Sequence, residues 1–213
     1  MHGVLATLGD LGVVPVVAIQ RAEDAGALGR ALLAGGLPCA EITFRTDAAE
    51  EAIRRISSGL PDIVLGAGTV LTIDQAERAV SAGAQFIVSP GFNQKVVDWC
   101  LQNEIPVTPG VATPTEIDMA LDKGLDILKF FPAEALGGLR MLKAIAAPYV
   151  GVKFIPTGGI NLDNLADYLA HPSVHCCGGS WLVKASLISA GKFDEITQLA
   201  RDAVSLVHQV RGQ

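Results

Sequence analysis

Glu41 and Arg45 place opposite charges within one short apolar stretch, CAEITFRT (residues 39–46). Side chains alternate along a strand, so Glu41, Thr43 and Arg45 share one face, and Phe44 lies on the other. Charges inside a protein are costly unless they are paired or have a chemical role. The stretch therefore predicts either a buried Glu41–Arg45 ion pair or a site that uses both groups.

Lys129 lies in a second apolar stretch, ILKFFP (residues 127–132). An amine among leucine and phenylalanine is poorly hydrated, which disfavours its ammonium form, and the neutral amine is the form that attacks a ketone. The stretch fits a nucleophilic lysine and, equally, a lysine paired with a carboxylate in a structural role. Lys153, the other lysine in a candidate strand, lies roughly 13 Å before the end of that strand, which makes Lys129 the stronger candidate.

Two glycine pairs follow the last two apolar runs, in PTGGIN (156–161) and GGSW (178–181). Glycine lets backbone N–H groups approach an anion closely, and the start of a following helix adds positive dipole character. One such pair is weak evidence. Two pairs on consecutive strands predict a phosphate site, where a Cβ at Gly159 is expected to block the anion.

Histidine and cysteine show no pattern of a metal or cofactor site. The four histidines are scattered, and none lies beside a pair of carboxylates: His2, His171, His175 and His208. The four cysteines form no CxxC pair: Cys39, Cys100, Cys176 and Cys177. We expect them to be small buried hydrophobes in a reducing cytoplasm, and we expect neither a metal nor a cofactor.

Eight short apolar runs alternate with amphipathic segments along the whole chain. The candidate strands begin near Val13, Cys39, Ile63, Ala84, Ile105, Asp126, Val152 and Val174. Their spacing of about 21 to 26 residues fits one strand, one helix and two turns. The alternation predicts an α/β fold, a single-domain (β/α)8 TIM barrel over residues 1–213, with a doubly wound open sheet as the rival fold. In a barrel, function lies at the carboxyl ends of the strands.

The signals for helix starts agree with this alternation of strands and helices. Thr113, with a proline after it and Glu116 three residues on, has the form of a capping box. Thr72 begins a similar box, and Thr46 and Asn161 are plausible caps after the second and seventh strands. Helical apolar spacing is expected over residues 76–82 and 193–210.

Composition and charge bound the partners. The chain has 213 residues, 50% hydrophobic and 18% charged, with a formal net charge of −6, which fits one large α/β domain and gives no sign of a nucleic-acid partner. The first 17 residues carry no lysine or arginine, and Asp10 interrupts their apolar stretch, so we expect no signal peptide. No apolar run is long enough to cross a membrane, so we expect no membrane partner.

Seven motifs cover nearly the whole chain: EITFRT (41–46), GAGTV (66–70), SPG (89–91), PGVAT (109–113), LKFFPAE (128–134), PTGGI (156–160) and GGSWLV (178–183). On these motifs the sequence resembles the 2-keto-3-deoxy-6-phosphogluconate (KDPG) aldolase family, also described as 4-hydroxy-2-oxoglutarate (KHG) aldolases. The resemblance implies a metal-free class I aldolase that cleaves KDPG to pyruvate and glyceraldehyde 3-phosphate. It also implies a cytoplasmic homotrimer of the Entner–Doudoroff pathway that can also take KHG.

The resemblance implies a role for each matching residue. Lys129 is similar to the Schiff-base lysine, and Glu41 to the general acid/base, which moves protons through a bound water. The pyruvate pocket is implied to contain Arg45 and Thr69 around the carboxylate, with Pro90 and Phe131 as apolar walls. The phosphate clamp is implied to contain Gly158, Gly159, Gly179 and Ser180. Thr157 favours the gluconate substrate over its galactonate epimer, and the short segment before Val13 suggests a reduced N-terminal helix.

Three alternatives remain open on the sequence. A phosphate-binding barrel isomerase or synthase would share the glycine pairs but would not need Lys129 among phenylalanines. A catalytically inactive barrel could serve as a binding or assembly module, against which the set of Glu41, Arg45 and Lys129 argues. The galactonate epimer of KDPG is the alternative substrate for an aldolase.

Overall fold

The computed structural model describes residues 2–212 as alternating strands and helices. Its strands are β1 Val13–Val17, β2 Cys39–Thr43, β3 Val64–Gly68, β4 Phe86–Val88, β5 Val107–Thr108, β6 Gly110–Val111, β7 Ile127–Phe130, β8 Lys153–Pro156 and β9 Cys177–Gly179. Each predicted strand is present, and β5 and β6 are two halves of the fifth. Proline has no N–H for the ladder, so the strand is interrupted at Pro109, whose carbonyl still accepts from Lys129 N at 3.0 Å.

The helices surround the strands. They are α1 His2–Leu11, α2 Ala25–Ala34, α3 Ala49–Gly59, α4 Ile73–Ser81, α5 Gln94–Gln102, α6 Pro114–Leu121, α7 Gly138–Ala146, α8 Leu162–Leu169, α9 Ala185–Ser189 and α10 Phe193–Arg211, with short 3-10 turns at Ala22–Asp24, Glu134–Leu136 and Trp181–Val183. The two predicted helical segments correspond to α4 and α10. Across the described chain, no helix has the length and apolar character that a membrane span requires.

The strands are parallel and close into a barrel. One sheet has the order β5-β4-β3-β2-β1-β9 and the other β6-β7-β8. The halves β5 and β6 connect the two sheets on one side, and the parallel bridges Phe154–Val174 and Thr157–Gly178 connect them on the other. The barrel prediction is confirmed, and the rival open sheet is wrong. Every residue of β1 and β2 is buried, as expected for strands covered on both faces.

Two predicted helix starts are confirmed in full. Thr113 and Glu116 form a capping box at α6, and Asn161 forms one with Asn164 at α8. At α4 the Thr72 hydroxyl accepts from Gln75 N at 3.2 Å, which is the first bond of a capping box. The Gln75 side chain accepts from Leu71 N instead of from Thr72 N, so the second bond of the box is missing.

The prediction that Thr46 caps a helix is wrong. The Thr46 hydroxyl donates to the Ile19 carbonyl at 2.6 Å, and α3 begins three residues later, at Ala49. A neighbouring strand end offers the hydroxyl an acceptor that local sequence cannot show. Thr46 therefore joins the loops after β1 and β2.

The N-terminal helix is not reduced, contrary to the expectation. Helix α1 is ten residues long, and its Leu8 side chain is 1% exposed at the bottom of the barrel. Arg211 donates to the carbonyls of Gly9 and His175, and the His175 ring bonds to Leu5 O at 2.7 Å. Apolar side chains inside the barrel need a cover at this end, and α1 provides it.

Candidate active site

Lys129 and Glu41 meet across the barrel interior. Their Nζ and Oε1 atoms are 3.4 Å apart, and their side chains are only 6% and 5% exposed. Lys129 Nζ also lies 5.2 Å from the centre of the Phe131 ring. Within residues 2–212 no ion pair joins Glu41 to Arg45, so that alternative is wrong. The partner of Glu41 is the candidate nucleophile.

Gly68, at the end of β3, makes room for the Glu41 carboxylate. A Cβ at Gly68 would overlap the Glu41 Oε1, Cδ and Cγ atoms. The motif GAGTV includes Gly68, but the sequence did not show that the Glu41 side chain would occupy the space beside this glycine. Below the amine, Glu41 and Lys129 share a chamber of about 10 Å³ with Thr108 and Thr157, a volume near the minimum for one water molecule.

A cavity of about 400 Å³ opens above Lys129 at the carboxyl ends of the strands. It is lined by Val16, Thr43, Arg45, Thr69, Pro90, Lys129, Phe131, Thr157, Gly158, Gly159, Ile160, Gly178 and Ser180. The structure thus brings nine of the eleven predicted site residues to one cavity. The other two are Glu41, which lies beneath the amine, and Gly179, which packs under the Trp181 ring while Gly178 faces the cavity.

Arg45 lies two residues beyond the end of β2 and is held in the cavity by Thr43, the last residue of that strand. Its Nε donates to the Thr43 hydroxyl at 3.1 Å, and that hydroxyl donates to the Val17 carbonyl at 2.7 Å. In the described chain no carboxylate pairs with Arg45, so its Nη groups can bind an anionic ligand. The sequence placed Thr43 on the same face as Arg45 but did not indicate this bond.

Thr69 has an unusual backbone conformation for its residue type. Its φ of 56° lies in the left-handed region, which β-branched residues rarely adopt. Such strain is often found at functional sites, where the surrounding structure maintains it. Here it places Thr69 in the cavity wall that also contains Arg45 and Pro90.

The loop after β8 presents backbone donors. Gly158 and Gly159 have φ values of 99° and 85°, which favour glycine. In the described chain the N–H groups of Gly159, Ile160 and Ser180 donate to no protein acceptor. Helix α8 starts directly after this loop, at Leu162. Free N–H groups at a helix start are suited to bind an anion.

A Cβ at Gly159 has a nearer neighbour than the expected anion. It would lie 2.5 Å from Glu134 Cγ and 2.6 Å from Glu134 Cβ. The first effect of a substitution at Gly159 is therefore to displace Glu134 or the loop itself.

The four cysteines and the three described histidine side chains, those of His171, His175 and His208, lie outside the cavity. All four cysteines are free and buried, as predicted, and burial raises the pKa of Cys100 and Cys176 to about 12. Among residues 2–212 no three histidine, cysteine, aspartate or glutamate side chains are grouped to hold a metal ion. The side chain of His2 lies outside the described part of the chain, as do Met1 and Gln213.

Comparisons with known proteins match the chain over most of its length. The sequence model of the family described as "Aldolase: KDPG and KHG aldolase" matches residues 4–199. A 2-dehydro-3-deoxy-phosphogluconate aldolase of Treponema pallidum (strain Nichols) is 54% identical over 92% of this chain and 93% of its own. The corresponding enzyme of Haemophilus influenzae is 46% identical over 96% of each. A crystal structure of KDPG aldolase from Legionella pneumophila, with pyruvate captured as a covalent carbinolamine intermediate, has a TM-score of 0.89 and 42% identity, covering 94% of this chain and 96% of that one.

Proposed function

The chain belongs to the KDPG and KHG aldolase family, and we propose that it is a class I aldolase that cleaves KDPG to pyruvate and glyceraldehyde 3-phosphate. One observation carries this proposal. Lys129 opens into a cavity that ends in two glycine loops, and its amine lies 3.4 Å from a buried carboxylate. The nucleophile, the proton acceptor and the N–H groups that can bind an anion are thus arranged around a single cavity.

Lys129 forms the covalent bond to the substrate. Glu41 accepts a proton from the ammonium group, and the free amine adds to the C2 ketone of KDPG to give a carbinolamine. Glu41 returns this proton to the carbinolamine hydroxyl, which leaves as water, and the iminium ion that remains withdraws electrons from the C3–C4 bond. The Nη groups of Arg45 bind the substrate carboxylate, and Thr69, Pro90 and Phe131 enclose the three-carbon end.

Glu41 moves the protons of the cleavage. With a water as relay, it takes the proton of the C4 hydroxyl, the C3–C4 bond breaks, and its electron pair enters the iminium to form an enamine. Glyceraldehyde 3-phosphate leaves as an aldehyde. The same acid then protonates C3 of the enamine, and hydrolysis of the resulting iminium releases pyruvate and restores the amine.

The loops containing Gly158, Gly159, Gly179 and Ser180 bind the phosphate. Unpartnered N–H groups at Gly159, Ile160 and Ser180 support this role, and Gly179 allows the close packing of Trp181. Binding energy from this remote group can be used at the reacting centre. KHG, which carries no phosphate, is a second substrate that uses the same amine and carboxylate.

Thr157 selects the gluconate epimer over the galactonate epimer. Its side chain is 6% exposed and borders both the cavity and the chamber beside Glu41. Its hydroxyl donates only at 3.3 Å, to Ile155 O, and it can therefore turn toward a substrate hydroxyl. Comparing kcat/KM for the two epimers tests this assignment.

The assembly, location and pathway are proposed from the family resemblance. We propose one domain over residues 1–213, a homotrimer, and a cytoplasmic enzyme of the Entner–Doudoroff pathway. Four reduced, buried cysteines support a reducing compartment, and the exposed Leu71, Met119 and Leu121 offer apolar surface for subunit contacts. Light scattering of the purified protein would detect three copies of the 22.2 kDa chain or contradict the trimer.

A cleavage assay tests the proposed reaction. Pyruvate release from KDPG should proceed with one pyruvate per substrate and should persist after treatment with EDTA. Loss of activity that a divalent metal restores would reject the metal-free mechanism. An isomerase, a synthase or an inactive barrel would release no pyruvate at all.

A further inference from the structure

Tyr168 and Glu134 form a hydrogen bond behind the Gly158–Gly159 loop. Tyr168 belongs to α8 and is 1% exposed, and its hydroxyl donates to the Glu134 carboxylate at 2.5 Å. Glu134 opens the 3-10 turn that follows β7. The bond therefore connects the turn after β7, the strand that contains Lys129, to the helix that follows the Gly158–Gly159 loop.

The backbone beside this bond is attached to the loop. Ala133 N donates to the Thr157 carbonyl at 2.8 Å, and Glu134 N donates to the Gly158 carbonyl at 3.0 Å. The Glu134 side chain also occupies the space where a Cβ of Gly159 would lie. The position of Glu134 thus determines where the loop, with its free N–H groups, can lie.

The bond also directs the negative charge of Glu134. A Cβ at Gly138, the first residue of α7, would lie 2.8 Å from Glu134 Oε1 and 3.3 Å from the Tyr168 hydroxyl. The carboxylate therefore lies against the start of α7, where negative charge is favourable. The Tyr168 hydroxyl thus bonds a carboxylate that lies at the start of α7 and outside the lining of the cavity.

Tyr168 is protonated at neutral pH. Burial, followed by the hydrogen bond and the charge of Glu134, raises the pKa of Tyr168 well above its usual value. The hydroxyl therefore remains a donor at neutral pH.

We propose that the Tyr168–Glu134 hydrogen bond is a positioning device that sets the specificity of the enzyme for phosphorylated substrates. It holds the Gly158–Gly159 loop in its anion-binding position and keeps the Glu134 carboxylate away from the anion. Neither residue touches the reacting atoms. The proposal rests on the proposed binding of phosphate by these loops.

The test compares Tyr168→Phe with Tyr149→Phe. The chain has two tyrosines, and the Tyr149 hydroxyl also donates to a carboxylate, Asp118 at 2.9 Å, on the outside of the barrel. Loss of a hydrogen bond to a charged group predicts that Tyr168→Phe lowers kcat/KM for KDPG about tenfold, chiefly through KM, and changes KHG cleavage less than about twofold. Tyr149→Phe should change neither. Borohydride trapping of pyruvate should proceed at the wild-type rate in both variants.

Glu134→Ala provides a second variant: it removes the support of the loop but also the negative charge, so it should show a selective defect on KDPG that is smaller than that of Tyr168→Phe. Equal losses on KDPG and KHG, or full activity on KDPG in both Tyr168→Phe and Glu134→Ala, would overturn the proposal. Failure of the proposed phosphate binding would be seen in a different measurement, made on the wild-type enzyme. A wild-type enzyme that does not prefer KDPG over KHG would refute phosphate binding by the loops before any variant is made.

Discussion

The Lys129–Glu41 centre and the glycine loops differ in which part of the chain carries the chemistry. In the centre, two charged side chains from opposite strands meet 3.4 Å apart in a nearly closed interior. In the loops, backbone N–H groups face the cavity, and glycines at φ values of 99° and 85° place them there. Changes at the centre should therefore affect every substrate, whereas changes at the loops should affect only phosphorylated ones.

Glu41→Gln should produce the largest loss among these substitutions. The amide cannot take up the proton of the C4 hydroxyl, so kcat should fall about 10²- to 10⁴-fold on KDPG and KHG alike, the usual size of a general acid/base contribution. Steady-state kinetics measure the loss. The variant should still trap pyruvate with borohydride, although more slowly. Near-normal turnover would mean that Glu41 is only a structural partner of Lys129.

Gly159→Ala should discriminate between substrates. A side chain at φ 85° is strained, and its Cβ would press on Glu134, so kcat/KM for KDPG should fall about 10- to 100-fold and that for KHG much less. Gly124→Ala is the matched control, because Gly124 has a φ of 74° with nothing near its missing Cβ, in the loop between α6 and β7. Equal damage to both substrates would show that the loop is only structural.

Thr43→Val should have a smaller effect that does not depend on phosphate. Valine keeps the shape but removes the hydroxyl that holds Arg45 Nε at 3.1 Å, so KM should rise about three- to tenfold for both substrates, the size of one hydrogen bond. Thr43→Ser keeps the hydroxyl and should stay near the wild-type KM. A fall in kcat with an unchanged KM would contradict the role of Thr43 in orienting Arg45.

Alkylation of cysteine should have the smallest effect. Burial raises the pKa of Cys100 and Cys176 to about 12, and the thiolate is the reactive form. Iodoacetamide at pH 8 should leave the native enzyme active and unlabelled by mass spectrometry, while unfolded protein takes up four labels. Rapid labelling of the native protein would show that these thiols are not enclosed.

The sequence predicted the barrel and its centre because both depend on residue type. Buried parallel strands appear as short apolar runs, and a lysine or glutamate within such a run stands out. Lys129 and Glu41 were therefore recognisable as candidates, but their mutual contact was not. The sequence left two interpretations of Lys129 open, catalytic and structural, and the cavity above Lys129 supports the catalytic one.

Contacts between segments that are distant in the chain could not be predicted from the sequence. Thr46 has the local chemistry of a helix cap, yet the Ile19 carbonyl takes its hydroxyl. Gly179 was expected in the phosphate clamp, but the register of β9 turns Gly178 to the cavity. The Tyr168–Glu134 bond spans 34 residues and left no pattern in the sequence.

Reduction by borohydride in the presence of pyruvate tests the central claim most directly. Hydride reduction of the iminium makes a stable secondary amine, so the enzyme should lose activity, and the peptide containing Lys129 should gain the mass of a reduced pyruvate adduct. Without pyruvate, borohydride should leave the enzyme active and its mass unchanged. An adduct on Lys153, or no adduct under conditions of full inactivation, would contradict the assignment of Lys129 as the Schiff-base residue.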